Sequence, residues 1–203
     1  MNPGNSQILT CPFCGKEKEI MSLMSGNTFH SELWSDNKQI FPFLPEISYV
    51  QKCPHCGKYY IKERQDVKYA EEKSSFEQGL LTFPEMKEAF AQLSEEGFLN
   101  EKEETKVRVM LHHSYNDYYY RNEDNKTVNE EDRAIFHENA IWLIDNIITD
   151  SVLKAEYYRE IGEFGKAREF LESAEVEDEY LKHIVSSIRE RLEMNDCKVF
   201  KIQ

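Results

Sequence analysis

The sequence predicts an α+β protein, with a small antiparallel module over residues 1–65 followed by an all-helical region over residues 66–203. Three observations predict it. Gly, Pro and β-type residues dominate only between residues 8 and 65. Beyond Asp66 the apolar residues recur at helical spacing instead. Two Cys-x-x-Cys motifs lie in the first part and none in the second.

In the first part, Ile20 to Met24 and Thr28 to Trp34 read as strands. Ser35-Asp36-Asn37-Lys38 reads as a turn and Gln39 to Phe43 as a returning strand. Pro42 and Pro45 then break the pattern, as prolines do at a sheet edge or loop. Tyr49-Val50-Gln51 and Tyr59-Tyr60-Ile61 flank the second Cys pair and read as extended. A sheet this small does not persist without help.

In the second part, Thr82-x-x-Glu85 has the form of a capping box with Pro84 in the first turn. Met86, Ala89, Phe90 and Leu93 then make one apolar stripe, and Gly97-Phe98 reads as a glycine C-cap with its hydrophobic contact. Asn100-x-x-Glu103 starts the next helix, whose face is lined by Val107, Leu111, Tyr115 and Tyr118. Arg121 to Val128 reads as a charged loop, and Asn129 caps a third helix. Asp150 caps a fourth that stops at Gly162. A fifth runs over Gly165 to Ala174 and a sixth over about Asp178 to Met194. The tail Lys198-Val-Phe-Lys-Ile alternates, which fits a short strand or packed extension.

The two Cys motifs are Cys11-Pro12-Phe13-Cys14-Gly15-Lys16 and Cys53-Pro54-His55-Cys56-Gly57-Lys58. A two-residue gap lets a tight turn aim both sulfurs at one metal, and Gly after the second Cys permits the left-handed backbone such turns use. Two copies of one six-residue pattern are far more specific than a lone Cys-x-x-Cys. Cys11, Cys14, Cys53 and Cys56 are therefore the expected ligands of one structural Zn²⁺. A closed four-Cys site has no open position for a substrate. The rival is a thiol oxidoreductase motif at Cys-Pro-His-Cys. That chemistry needs the first Cys at a helix N-terminus, whereas turn and strand residues follow Cys56 here. His55 sits between two better ligands.

The formal charge is −13 and uneven: residues 1–65 carry 7 Lys/Arg against 6 Asp/Glu, and residues 66–203 carry 18 against 32. The acidic helical half disfavours nucleic acid, which selects for a basic face. Lys16, Lys52, Lys58, Lys62 and Arg64 leave a local possibility in the first part. No apolar run approaches a membrane span and the start MNPGNSQILT is unlike a secretory signal, so a cytoplasmic protein without a membrane partner is expected.

Residues 151–181 resemble a tetratricopeptide repeat, within an expected repeat unit of about 148–181. Ala155, Tyr158, Gly162, Phe164, Ala167, Leu171 and Ala174 fall where that family places its small and large packing residues. The family's early Trp or Leu is absent at Ser151 and Lys154, and no Pro stands near Glu179. Taken whole, the chain resembles uncharacterised bacterial proteins that join a double C-P-x-C-G zinc ribbon to a tetratricopeptide-like helical region. That resemblance implies a non-enzymatic interaction or scaffold role with a protein partner.

The alternative with chemistry is an enzyme acting through His112, His113 and Asp117, since His113 and Asp117 share a helix face at i, i+4. The competing reading is a solvated helix face. Cys197 stands alone and reads as a small packed hydrophobe.

Overall fold

Each Cys motif is the loop of a β-hairpin, and the rest of the first unit is built around those two hairpins. The computed structural model describes residues 2–73, 79–121 and 126–202. The strands among them are β1 (Asn2–Pro3), β2 (Asn5–Thr10), β3 (Glu17–Ile20), β4 (Leu23–Ser25), β5 (Glu32–Leu33), β6 (Gln39–Ile40), β7 (Val50–Lys52), β8 (Tyr59–Ile61) and β9 (Val67–Lys73). The helices are α1 (Phe83–Glu95), α2 (Glu101–Asn116), α3 (Glu130–Asn146), α4 (Ser151–Glu160), α5 (Phe164–Ser173) and α6 (Glu179–Glu193). The fold is thus α+β, with short antiparallel strands preceding six described helices. None of these helices is long and apolar enough to cross a membrane.

The chain divides into two compact units, Met1–Ser31 with Ile40–Glu101, and Glu32–Gln39 with Lys102–Gln203. The expected boundary at residues 65 and 66 does not coincide with this division. Two physical reasons account for the difference. First, β9 pairs with β2 and completes the three-stranded sheet β3-β2-β9, where helical spacing is expected beyond Asp66. Six of the seven β9 residues are exposed, so no apolar alternation announces the strand and pairing alone confers it. Second, α1 belongs with the strands. Gln92 accepts from the Tyr59 N–H at 3.0 Å and donates to the Tyr59 carbonyl at 3.1 Å. One side chain thereby satisfies backbone groups on β8 that would otherwise need a further strand. Tyr59 Oη reaches Glu88 at 2.8 Å and Lys58 reaches Glu96 at 2.7 Å.

Helix α1 starts where its cap predicts. Glu85 accepts from the Thr82 N–H at 3.1 Å, and Phe83, Met86, Ala89 and Leu93 are buried. It ends at Gly97, where φ is +64° and Phe98 N–H bonds to the Leu93 carbonyl.

In the second unit, Asn129, Asp150 and Asp178 cap α3, α4 and α6 through their side-chain oxygens. Ala155 and Ala167 are fully buried at the contact of α4 and α5, with Tyr158 and Leu171 filling the space beside them. Gly162, at φ +83°, turns the chain between these helices. The last turn of α2 widens into a π-helical turn over Asp117–Arg121. More residues per circuit carry the buried stripe from Tyr115 to Tyr119 rather than to the expected Tyr118. Within the expected Arg121–Val128 loop, residues 122–125 lie outside the described residues.

The Glu32–Gln39 hairpin lies with the helices, and the C-terminal tail closes over it. Ser35 N–H bonds to the Phe200 carbonyl at 2.9 Å and Ile202 N–H to the Leu33 carbonyl at 2.8 Å. The alternating tail is thus a packed extension with Val199 and Phe200 buried.

Candidate metal centre

The two Cys loops are built alike. Strand β2 enters Cys11 and β3 leaves after Lys16, while β7 enters Cys53 and β8 leaves after Lys58. In the first loop Cys11 N–H bonds to the Lys16 carbonyl and Gly15 N–H to the Cys11 carbonyl, both at 2.9 Å. In the second, Cys53 N–H bonds to the Lys58 carbonyl at 2.8 Å and Gly57 N–H to the Cys53 carbonyl at 3.0 Å. Gly15 and Gly57 sit at φ +71° and +75°, which only glycine adopts without strain.

These turns bring all four sulfurs within 4.8 Å of one another. Cys11 and Cys56 sulfurs are 3.7 Å apart, as are those of Cys14 and Cys53. A disulfide needs about 2.0 Å. A regular tetrahedron with metal–sulfur distances of about 2.3 Å has an edge of about 3.8 Å. The donor set is therefore spaced to hold one metal ion. Both of these pairs join one motif to the other, so the two loops share one site.

The surroundings are half core and half surface. Cys11 and Cys53 are buried with Leu9, Ile20 and Tyr60, against Phe13 and Ile47. Cys14 and Cys56 are exposed. Burial pushes the Cys11 thiol up to about 12. Burial also opposes ionisation of Cys53, but the backbone amides of Cys56 and His55 outweigh it and hold that thiol down at about 6. Four thiols this close ionise together only with a cation among them. Lys18 adds a positive charge nearby, anchored by Gln51 at 2.8 Å and the Lys52 carbonyl at 3.1 Å. Burial lowers its pKa while Cys53 pulls it back up. The sequence gives no sign of Lys18, because its partners are 33 and 34 residues away.

His55 is not placed as a ligand: its Nε2 faces the Glu17 carbonyl at 3.3 Å. The helix that a redox motif requires is absent from this site, because Cys53 lies between two strands.

His112, His113 and Asp117 run to different partners in the second unit. His112 has no solvent exposure, and its ring is stacked between Tyr157 at 4.1 Å and Phe136 at 4.6 Å. Its Nε2 lies 2.9 Å from Glu160 Oε2. His113 Nε2 faces the Asp36 carbonyl at 3.3 Å, and Asp117 pairs with Lys38 and, at 2.7 Å, with Arg121. The cluster is larger than the sequence indicates. Asn116 donates at 2.9 Å to both Asp36 and Glu160, and Arg121 also binds Asp36. Burial pushes Asp36 up, but His113 and Arg121 outweigh it and hold it down at about 2. Burial drives His112 down to about 3 and Glu160 well above the ordinary carboxylate range. Both directions favour a hydrogen bond between neutral groups over an ion pair.

That assignment predicts a pH effect of definite sign. A carboxyl raised on folding binds more protons in the native than in the unfolded protein above pH 4.5, so stability falls as pH rises from there. Glu160→Gln keeps a neutral partner for His112 and Asn116 and removes that loss. It should stabilise the second unit by roughly 1–2 kcal/mol at pH 8, with little effect at pH 4.5. Urea titrations at both pH values measure this; destabilisation at pH 8 would show Glu160 to be ionised.

No protein-family model, no curated protein and no solved structure matches this chain.

Proposed function

We propose that the protein is a non-enzymatic, zinc-structured interaction module of a reducing compartment, the cytoplasm, whose helical unit meets a protein partner. The observation that carries the zinc assignment is the inter-motif sulfur spacing of 3.7 Å within a four-Cys set. Tetrahedral thiolate sites take zinc or iron, and a colourless ion with no redox chemistry suits a site whose four positions are all filled by protein. The site then supplies folding energy rather than catalysis.

For the partner, the acidic helical unit and the tight α4–α5 hairpin support a protein rather than a nucleic acid. The basic residues of the first unit are mostly committed. Lys52 lies near Glu85 and Glu88, Lys58 binds Glu96, Lys68 binds Glu17, and Arg64 donates to the Phe98 carbonyl. Such pairing leaves little positive surface for phosphates. The enzyme reading through His112 gains nothing from a ring with no solvent exposure.

Elemental analysis of the purified protein should find one zinc per chain. Stoichiometric iron with visible absorption would replace zinc by iron. Capture from a native lysate should recover a reproducible protein partner in low and moderate salt. Recovery of nucleic acid alone, lost steeply with salt, would reverse the partner assignment.

A further inference from the structure

The second unit contains a cavity of about 600 Å³ that the metal site does not use. Leu33 and Trp34 of the hairpin, Val152 and Leu153 of α4, and Ile184 and Ile188 of α6 give it apolar walls. The volume lies in the range of sites for small organic ligands, roughly 300–1,000 Å³. Among its lining residues, Tyr180 and Leu181 are 50% and 43% exposed, so the cavity opens to solvent beside them.

Its charged lining has one sign. Asp150, Glu156 and Glu175 line it, and no Lys or Arg does. Glu156 is neutralised by Arg159. Asp150 spends one oxygen on the Leu153 N–H as the α4 cap and has no cationic partner among the described residues, and neither has Glu175. The Arg121 guanidinium, which lies over the Trp34 ring at 5.1 Å, is committed to Asp36 and Asp117. Anionic ligands would meet two uncompensated carboxylates there. A cation would meet those carboxylates and the half-exposed ring of Tyr180, whose face attracts positive charge, while the Trp34 ring already carries the Arg121 guanidinium and serves as apolar wall.

We propose that this cavity binds a small lipophilic organic cation, an amine or quaternary ammonium with an apolar tail of a few carbons. The tail fills the space between α4, α6 and the hairpin, and the cationic head rests at the rim near Asp150, Glu175 and Tyr180. This site is independent of the zinc assignment and of any protein partner.

The test uses the full-length, metal-loaded protein with Trp142→Phe, which leaves Trp34 as the only tryptophan. Hexyltrimethylammonium should change Trp34 fluorescence saturably, and hexanoate and hexan-1-ol should bind about tenfold or more weakly. Asp150→Asn with Glu175→Gln keeps the helix cap and should weaken hexyltrimethylammonium roughly three- to tenfold. Ile184→Phe should narrow the cavity and weaken binding about tenfold, with Trp34 still the only tryptophan. Tyr180→Ala, at a half-exposed position that tolerates change, should weaken binding severalfold with an unaltered circular dichroism spectrum. Absence of saturable binding, equal binding of hexan-1-ol or hexanoate, or unchanged affinity in both Tyr180→Ala and the double variant would overturn the proposal.

Discussion

Stripping the metal should unfold the first unit and leave the second folded. Both tryptophans, Trp34 and Trp142, lie in the second unit, so their emission should hardly move. The tyrosine environment of Tyr49, Tyr59 and Tyr60, all buried in the first unit, should be lost, and with it the contribution of α1 to the helical signal. Structural zinc contributes on the order of 10–16 kcal/mol of apparent binding free energy at neutral pH. The cluster directly around the sulfurs is slight, Leu9, Ile20 and Tyr60 with the two inner sulfurs, and the buried face of α1, Phe83, Met86, Ala89 and Leu93, depends on the β7–β8 hairpin that the metal pins to the first. Two- and three-stranded sheets this short do not offset their own ordering entropy without that pin. The decisive variants are Cys14→Ser and Cys56→Ser. Both positions are exposed, and without a metal an exposed Cys→Ser change costs roughly 0.5 kcal/mol or less. With a metal, each removes a ligand and should unfold the unit at 37 °C. Retention of the tyrosine signal in the chelated protein, or in either variant without metal, would refute the assignment.

What the residues disclose in advance follows from how local each feature is. The metal loops were legible because each needs only six consecutive residues, and the repeated Cys-Pro-x-Cys-Gly-Lys names ligands and turn together. Helix starts at Thr82, Asn129, Asp150 and Asp178 were legible for the same reason, since a cap acts within one turn. Strand β2 was not legible, nor was β9. Val67–Lys73 carries Lys68, Glu71, Glu72 and Lys73 on an exposed edge, and only its pairing with Asn5–Leu9 makes it a strand. The buried cluster was half legible. His112, His113 and Asp117 share a helix, but Asp36 and Glu160 join them from 80 and 44 residues away, counted from Asn116. No local pattern encodes that meeting. Nor does any mark Asp36, in a sequence that reads as a plain turn, as a buried anion at the centre of it.

Arg159→Met should destabilise the second unit by about 3–5 kcal/mol, the largest effect expected of any single substitution there. Arg159 is fully buried and its Nε binds Glu156 Oε2 at 2.8 Å, with a second contact from its terminal nitrogen to Glu156 Oε1. The same guanidinium donates to the carbonyls of Asp196 and, at 3.1 Å, Lys198, and it lies over the Phe200 ring. One side chain therefore joins α4 to the tail that covers the hairpin. Methionine fills much of the volume but leaves a buried Glu156 carboxylate and two backbone acceptors without their donor. Arg159→Lys keeps the charge but not the fork, so it should recover only part of the loss. Adding Glu156→Gln to Arg159→Met removes the stranded charge and should restore about half of the stability, while the tail carbonyls stay unmet. Urea unfolding followed by tryptophan emission reads this unit directly. If the double variant recovers everything, the tail contacts contribute nothing. If Arg159→Met costs under about 1 kcal/mol, solvent reaches Glu156 and the buried pair does not organise this end of the helices.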